Sequence, residues 1–159
     1  MAQFKQYKLG FDRMFNIRRV SDQSVDVQQT AIDAQQAALG AMRPGVTAES
    51  VAEAANEVYR DKGYAPSYRT GRSIGMAYLE TPELKSGDST VLQAGMTFAV
   101  DGGISVDGQY GGRIGDSIVV TADGFEYLTS FILFFCANLL KKIAFVFVFE
   151  QSKNIRNLH

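Results

Sequence analysis

The feature that most constrains the fold is a change of periodicity near residue 63. Between Ser21 and Asp61, apolar residues recur at the three- and four-residue intervals typical of amphipathic helices. After Gly63, short apolar runs alternate with glycine-containing turns, as in β structure. Each kind of element must bury its apolar face against another. The sequence therefore predicts an α+β fold, in which helices pack on a β meander.

Two helices are predicted in the first part of the chain. Ser21 and Thr47 are residue types that cap helix N-termini, and each precedes a helical pattern. The segment RPG, residues 43–45, stops the first helix, and Gly63 ends the second. Because the connection is short, the two helices are predicted to be antiparallel.

Strands are predicted in the remaining segments. An extended arm or hairpin is predicted within residues 4–20, and a strand at residues 74–79. Turn signals then delimit a strand at 97–106 that contains a glycine interruption, a hairpin partner at 113–121 and a short strand at 125–128.

Composition excludes several kinds of site. The one histidine, His159, is the last residue, so a histidine metal ligand or base within the fold is not expected. The one cysteine, Cys136, excludes an internal disulfide. The formal net charge is −1 and no basic run stands out, so no nucleic-acid partner is expected. The N-terminal residues lack a signal-peptide pattern, and we expect a cytoplasmic protein.

Composition changes abruptly at residue 130. All 15 glycines precede Phe125, whereas six of the 11 phenylalanines lie between Phe131 and Phe149. Three interpretations of residues 130–159 stay open: a buried C-terminal helix or strand, an out-of-frame or non-native tail, or a membrane anchor. Lys141 and Lys142, near the middle of the apolar run, make a membrane anchor the least favoured interpretation.

Four segments, in this order and spacing, carry a family resemblance: AIDAQQAALGAMRPGVTAESVAEAANEVYRDKGY, RTGRSIGMAYLETPEL, VLQAGMTFAVDGG and YGGRIGDSIVVTADGFEYLT. They resemble the pita-bread hydrolases, a family of Xaa-Pro aminopeptidases, prolidases, methionine aminopeptidases and creatinase. The resemblance implies a partial pita-bread catalytic domain at residues 1–129, with two antiparallel helices against a curved antiparallel sheet. Residues 130–159 are then an atypical hydrophobic C-terminal tail, and the chain begins about one strand into the family's domain.

The resemblance also implies a metal site that this chain has lost. Family peptidases hold two ions of Mn, Co, Fe or Zn with two aspartates, a histidine and two glutamates. By resemblance, Arg72 stands at the histidine position, Asp101 and Gly115 at the glutamate positions, and Gly10 at the second aspartate position. Leu79 replaces a further family histidine. Arginine offers only donors and glycine has no side chain, so no metal cofactor is expected.

The residues left at this position define a candidate site. Asp101 and Glu80 are the candidate catalytic residues, because either becomes a base if burial raises its pKa. The candidate substrate-binding residues are Arg72, Arg113, Asp116 and Tyr78. Two arginines can clamp a carboxylate or phosphate, and the resemblance implies a small peptide or guanidino-type substrate. In the competing interpretation, Arg72 and Asp101 form an ion pair that fills the emptied metal position.

Three hypotheses about function stay open. The chain is a metal-free hydrolase of peptide, amide or amidine C–N bonds, or a non-catalytic protein that binds a small anionic or peptide-like ligand through Arg72 and Arg113. In the third, the chain is an incomplete family member whose uncovered sheet edges need its tail or another chain, for example in a homodimer.

Overall fold

The structure is a computed structural model that describes residues 2–14, 20–66, 69–106 and 108–129. The tail at 130–159, with its three interpretations, lies outside the described residues. The described part contains helices α1 (Asp22–Ala41) and α2 (Ala48–Asp61). Its strands are β1 (Ala2–Phe4), β2 (Tyr7–Leu9), β3 (Gly71–Ser73), β4 (Glu80–Leu84), β5 (Thr97–Val106), β6 (Tyr110–Val120) and β7 (Phe125–Tyr127).

The two helices begin at the predicted caps. The Ser21 side chain accepts a hydrogen bond from the Ser24 backbone N–H, and Thr47 accepts one from Ser50 in the same way. Each bond satisfies a donor that the first turn of a helix leaves without a partner. Gly63 follows α2 with φ of +77°, a left-handed conformation that glycine adopts at little cost.

The main sheet has five antiparallel strands in the order β4-β3-β5-β6-β7. The long β5–β6 hairpin forms its centre, paired from Thr97 with Val119 to Val106 with Tyr110. One face packs on the helices and carries the core, which includes the fully buried Phe98, Val100 and Ile118. Because successive side chains of a strand alternate between faces, the residues between these lie on the opposite face.

Two glycines let α1 lie directly on the central hairpin. A Cβ atom at Gly102 would be 2.0 Å from the Ala31 carbonyl oxygen, and one at Gly112 would be 2.9 Å from the Gln28 Cα. The Gln28 side chain is hydrogen-bonded to the Arg113 backbone in both directions, at 3.0 and 3.2 Å. The helix is thereby held against the hairpin at a defined position.

The α+β prediction is confirmed, and so is the strand at 97–106. Its hairpin partner, predicted at 113–121, is present and runs from Tyr110 to Val120. The predicted strand at residues 74–79 is wrong. The chain bends through residues 75–79, and the strands are β3 before and β4 after this loop. Two local bonds hold the bend, since Arg72 Nε donates to the Tyr78 carbonyl and the Ala77 N–H donates to Glu80. Within the described segments, no helix combines the length and apolar character needed to cross a membrane.

Candidate functional site

The sheet face opposite the helices gathers residues from three strands and the N-terminal segment. Register pairs Arg72 with Ala99 and Asp101 with Gly115, which places Arg72 and Asp101 on the same face. The segment after β2 crosses this face, where Asp12 and Gly115 exchange two backbone hydrogen bonds of 3.0 and 3.2 Å. Four charged residues meet here, and we refer to Arg72, Asp101, Arg113 and Asp12 as the arginine–aspartate cluster.

Arg72 is the buried member of the cluster, with a side chain only 4% exposed. Its Nη1 donates to Asp101 Oδ2 at 2.9 Å, and its Nε donates to the Tyr78 carbonyl oxygen at 3.1 Å. The guanidinium carbon lies 4.3 Å from the centroid of the Tyr78 ring, a distance typical of a cation–π contact. The predicted Arg72–Asp101 ion pair is confirmed.

Arg113 is the exposed member, with a side chain 58% exposed. Its Nε donates to Asp12 Oδ2 at 2.8 Å, and its Nη2 donates to Asp101 Oδ2 at 3.4 Å. The hydrogen bond that Arg113 donates to the Asp12 carboxylate is the main cause that raises the pKa of Arg113. Asp12 was not predicted as a site residue. The available signal was its place in the segment GFDR, beside the position that the resemblance assigns to a metal ligand.

Asp101 links the two arginines and is itself largely buried. Burial is the largest influence on its carboxyl group and raises its pKa, while the charges of Arg72 and Arg113 act in the opposite direction. The carboxylate lies over Gly115, where a Cβ atom would come within 2.5 Å of Asp101 Oδ1. The absence of a side chain at residue 115 therefore makes room for Asp101.

Two predicted site residues, Asp116 and Glu80, point away from the cluster. Asp116 projects towards the helices, where it accepts hydrogen bonds from Arg13 Nη2 at 2.7 Å, Thr129 Oγ1 at 2.9 Å and Gln35 Nε2 at 3.2 Å. Its alternation with Gly115 along β6 puts it on the core face. The Glu80 carboxylate accepts from the Ala77 N–H at 2.7 Å and so faces the 75–79 loop. Arg72, Arg113, Asp101 and Tyr78 are the predicted residues that the structure brings together.

An open cleft of about 780 Å³ adjoins the cluster at Arg113. Apolar side chains on its walls include Met14, Tyr64 and Pro66, and the end of the β5–β6 hairpin forms another side. A ligand held by the Arg113 guanidinium therefore has room for an apolar part. Among the residues that the structure describes, no group of three or more His, Cys, Asp or Glu side chains is placed to hold a metal ion.

Comparisons with known proteins identify the family of the chain. Residues 1–122 match the model of metallopeptidase family M24. The chain is 41% identical over 118 residues to an agropine synthesis cyclase of Rhizobium rhizogenes, covering 73% of this chain and 28% of that protein. It is 45% identical over 86 residues to a probable dipeptidase PepE of Mycobacterium tuberculosis, covering 53% and 23% of the two proteins.

Solved structures show the same fold. A dipeptidase of Pyrococcus horikoshii OT3 superposes with a TM-score of 0.79 at 32% identity, over 83% of this chain and 38% of that one. A prolidase of Pyrococcus furiosus gives a TM-score of 0.78 at 26% identity, over 81% and 39%. The predicted pita-bread fold is confirmed. The chain spans less than two fifths of the length of each of these four proteins.

Proposed function

The chain belongs to metallopeptidase family M24, and from that premise we propose that it binds a small, carboxylate-bearing, peptide-like ligand without a metal pair. The observation that supports this proposal is the buried Arg72, paired with Asp101 at the position that the resemblance assigns to metal ligands. The arginine–aspartate cluster is then a recognition site built from protein charges.

The side chains of the cluster do not fit a divalent ion. Guanidinium groups have no lone pair available for coordination, and a permanent cation repels a metal ion at short range. Asp101 and Asp12, the carboxylates of the cluster, already accept hydrogen bonds from Arg72 and Arg113. A metal would have to displace these charge-assisted bonds, which are among the stronger ones in proteins, and the bond between Arg72 and Asp101 is also largely buried.

The chemistry of the cluster favours a carboxylate ligand. A guanidinium group presents paired donors that match the two oxygens of a carboxylate. Arg113 is exposed at the rim of the cleft, where a ligand can reach it. Two of the relatives compared above are named dipeptidases, and a dipeptide ends in a carboxylate. Dipeptides, including those of the Xaa-Pro type, are therefore the first ligands to test.

A metal-free hydrolase is a second candidate function, favoured by one observation. Burial raises the pKa of Asp101, as expected for a carboxylate that serves as a general base nearer neutral pH. One relative is named a synthesis cyclase, so the names of the relatives are not confined to peptidases. In this alternative, Asp101 removes a proton from water or from the substrate, and the arginines hold the substrate.

Calorimetric titration of the full chain with L-alanyl-L-proline, in EDTA, separates these possibilities. We expect binding that persists in EDTA and weakens roughly tenfold or more in Arg113→Met, the loss of about one charge-assisted hydrogen bond. Arg60→Met is the matched control, because Arg60 is also partly exposed but lies on α2 and pairs with Glu53.

Product release measured in the same samples decides between binding and catalysis. Binding without turnover supports the recognition site. Turnover in EDTA that Asp101→Ala abolishes supports the metal-free hydrolase. Tight, stoichiometric binding of two Mn²⁺, Co²⁺ or Zn²⁺ ions per chain would overturn both. The predicted homodimer and cytoplasmic location stay predictions, and sedimentation of the full chain tests the first of them.

A further inference from the structure

The unused donor of Arg72 is the starting observation. Of the three guanidinium nitrogens, Nε donates to the Tyr78 carbonyl oxygen and Nη1 donates to Asp101. Among the described residues, none accepts a hydrogen bond from Nη2. The fold does not seal this atom away from solvent either. A ligand can therefore reach Nη2, and an acceptor there bonds to a guanidinium group whose residue is only 3% exposed.

The space in front of Nη2 lies over Gly10. A Cβ atom at residue 10 would be 4.0 Å from Arg72 Nη2 and 3.9 Å from the Ala99 Cβ, both ordinary contact distances. No other atom outside the neighbouring residues of the chain comes within 3.9 Å of that position, so the space next to Nη2 is open to a small group. The floor of this space is fixed, since the Gly10 N–H donates to Ser117 Oγ at 3.0 Å and Ser117 Oγ donates to the Gly10 carbonyl at 2.8 Å.

We propose that the carboxylate of the ligand binds in this space and accepts a hydrogen bond from Arg72 Nη2, which makes Arg72 the main anchor. This inference rests on the proposed recognition function and adds the atom and the pocket that carry it. Arg72 is held in place by Asp101 and Tyr78, so little conformational entropy is lost when it binds an anion. Its burial also weakens solvent screening, whereas the exposed Arg113 is screened.

Three variants of Gly10 test the assignment. Gly10→Asp places a carboxylate in the pocket, where it pairs with Arg72. Gly10→Asn fills a similar volume without the charge, and Gly10→Ala adds only the Cβ atom. If the pocket binds anions, Gly10→Asp raises the melting temperature above that of Gly10→Asn by roughly 2–4 °C, the shift typical of a modest stabilisation in a chain of this size. Equal melting temperatures would overturn the proposal, and this measurement needs no ligand.

Ligand titrations provide a second, independent readout. We expect Gly10→Asp to weaken binding of L-alanyl-L-proline roughly tenfold or more, the loss of about one charge-assisted hydrogen bond. L-alanyl-L-prolinamide, which lacks the carboxylate, should bind the unmodified chain as weakly as L-alanyl-L-proline binds Gly10→Asp. Wild-type affinity in Gly10→Asp refutes the pocket while leaving the recognition function intact. Equal affinity of the unmodified chain for the amide refutes recognition of the carboxylate itself. A wild-type chain that binds no dipeptide refutes the recognition function itself.

Discussion

Removal of the Arg72 side chain is the most direct perturbation of the cluster. Arg72→Met keeps a side chain of similar length and deletes the guanidinium. Asp101 then remains 84% buried and keeps a single cationic partner, Arg113, at 3.4 Å. Breaking a buried ion pair from one side costs about 3–5 kcal/mol, because the remaining charge loses its partner without regaining water. Because Asp101 keeps its contact with Arg113 and is partly exposed, we expect a loss of unfolding free energy near the lower end of this range, at about 3 kcal/mol.

The double-mutant cycle isolates the pair itself. Asp101→Asn leaves Arg72 with its bond to the Tyr78 carbonyl and the ring beneath it, so we expect a smaller loss of about 2 kcal/mol. With both charges removed, neither is left buried alone. The double variant should therefore lose about 3 kcal/mol of unfolding free energy, whereas the two single losses add up to about 5 kcal/mol. The difference is a coupling energy of about 2 kcal/mol.

Urea unfolding followed by far-ultraviolet circular dichroism measures all four states of the cycle. The exposed Arg60–Glu53 pair on α2 is the matched control, since its side chains are 46% and 51% exposed. Its coupling should be about 0.5 kcal/mol or less. If the Arg72–Asp101 coupling is no larger than that of the control pair, the reasoning that Arg72 neutralises a buried carboxylate is wrong.

Three further predictions concern the pH profile and the fold. Because the pKa of Asp101 is raised above its ordinary 3.8, the folded chain binds this proton more tightly than the unfolded chain. The Asp101 contribution to stability is therefore present below pH 3.8 and is lost as pH rises through the folded pKa. Urea titration at successive pH values measures the difference in free energy of unfolding between wild type and Asp101→Asn, and this difference should fall across that window. Gly102→Ala should destabilise the fold by about 1–3 kcal/mol or more, because its Cβ clashes with α1. Gly40→Ala is the control and should stabilise the fold by up to about 1 kcal/mol, because the space around the new Cβ is open. Equal melting temperatures of the two variants would contradict the close approach of α1 to Gly102. Thr47→Ala should lower stability by about 1 kcal/mol in urea, and an unchanged midpoint would show that the cap bond contributes nothing.

The sequence predicted well those features that depend on neighbouring residues. Ser21 and Thr47 cap helices because their hydroxyl oxygens reach backbone donors three residues away. The β5 strand was predicted at the residues where it occurs, since turn residues delimit it on both sides. The loop at 75–79 was mistaken for a strand because its apolar residues suggest burial. Its shape depends on side-chain bonds, such as the one from Arg72 to the Tyr78 carbonyl, which the pattern of apolar residues does not reveal.

The site was predictable only in part, for the same reason. The Arg72–Asp101 pair followed from the two residue types and from positions that the resemblance brings together. Asp116 was assigned to the same site, although the alternation of side chains along β6 turns it to the other face. The role of Asp12 depends on a bridge to Gly115, more than a hundred residues away in the chain. Such long-range contacts leave little local signal in a single sequence.

The contact between Tyr78 and Arg72 also allows the cluster to be followed by fluorescence. The sequence contains no tryptophan, so Tyr78→Trp would introduce the only indole of the chain. That indole would lie over the guanidinium group, on a side chain that is partly open to solvent. Its fluorescence should respond when an anion arrives at Arg72, because the charge next to the ring changes. A single aromatic substitution would thus turn the cluster into its own spectroscopic probe.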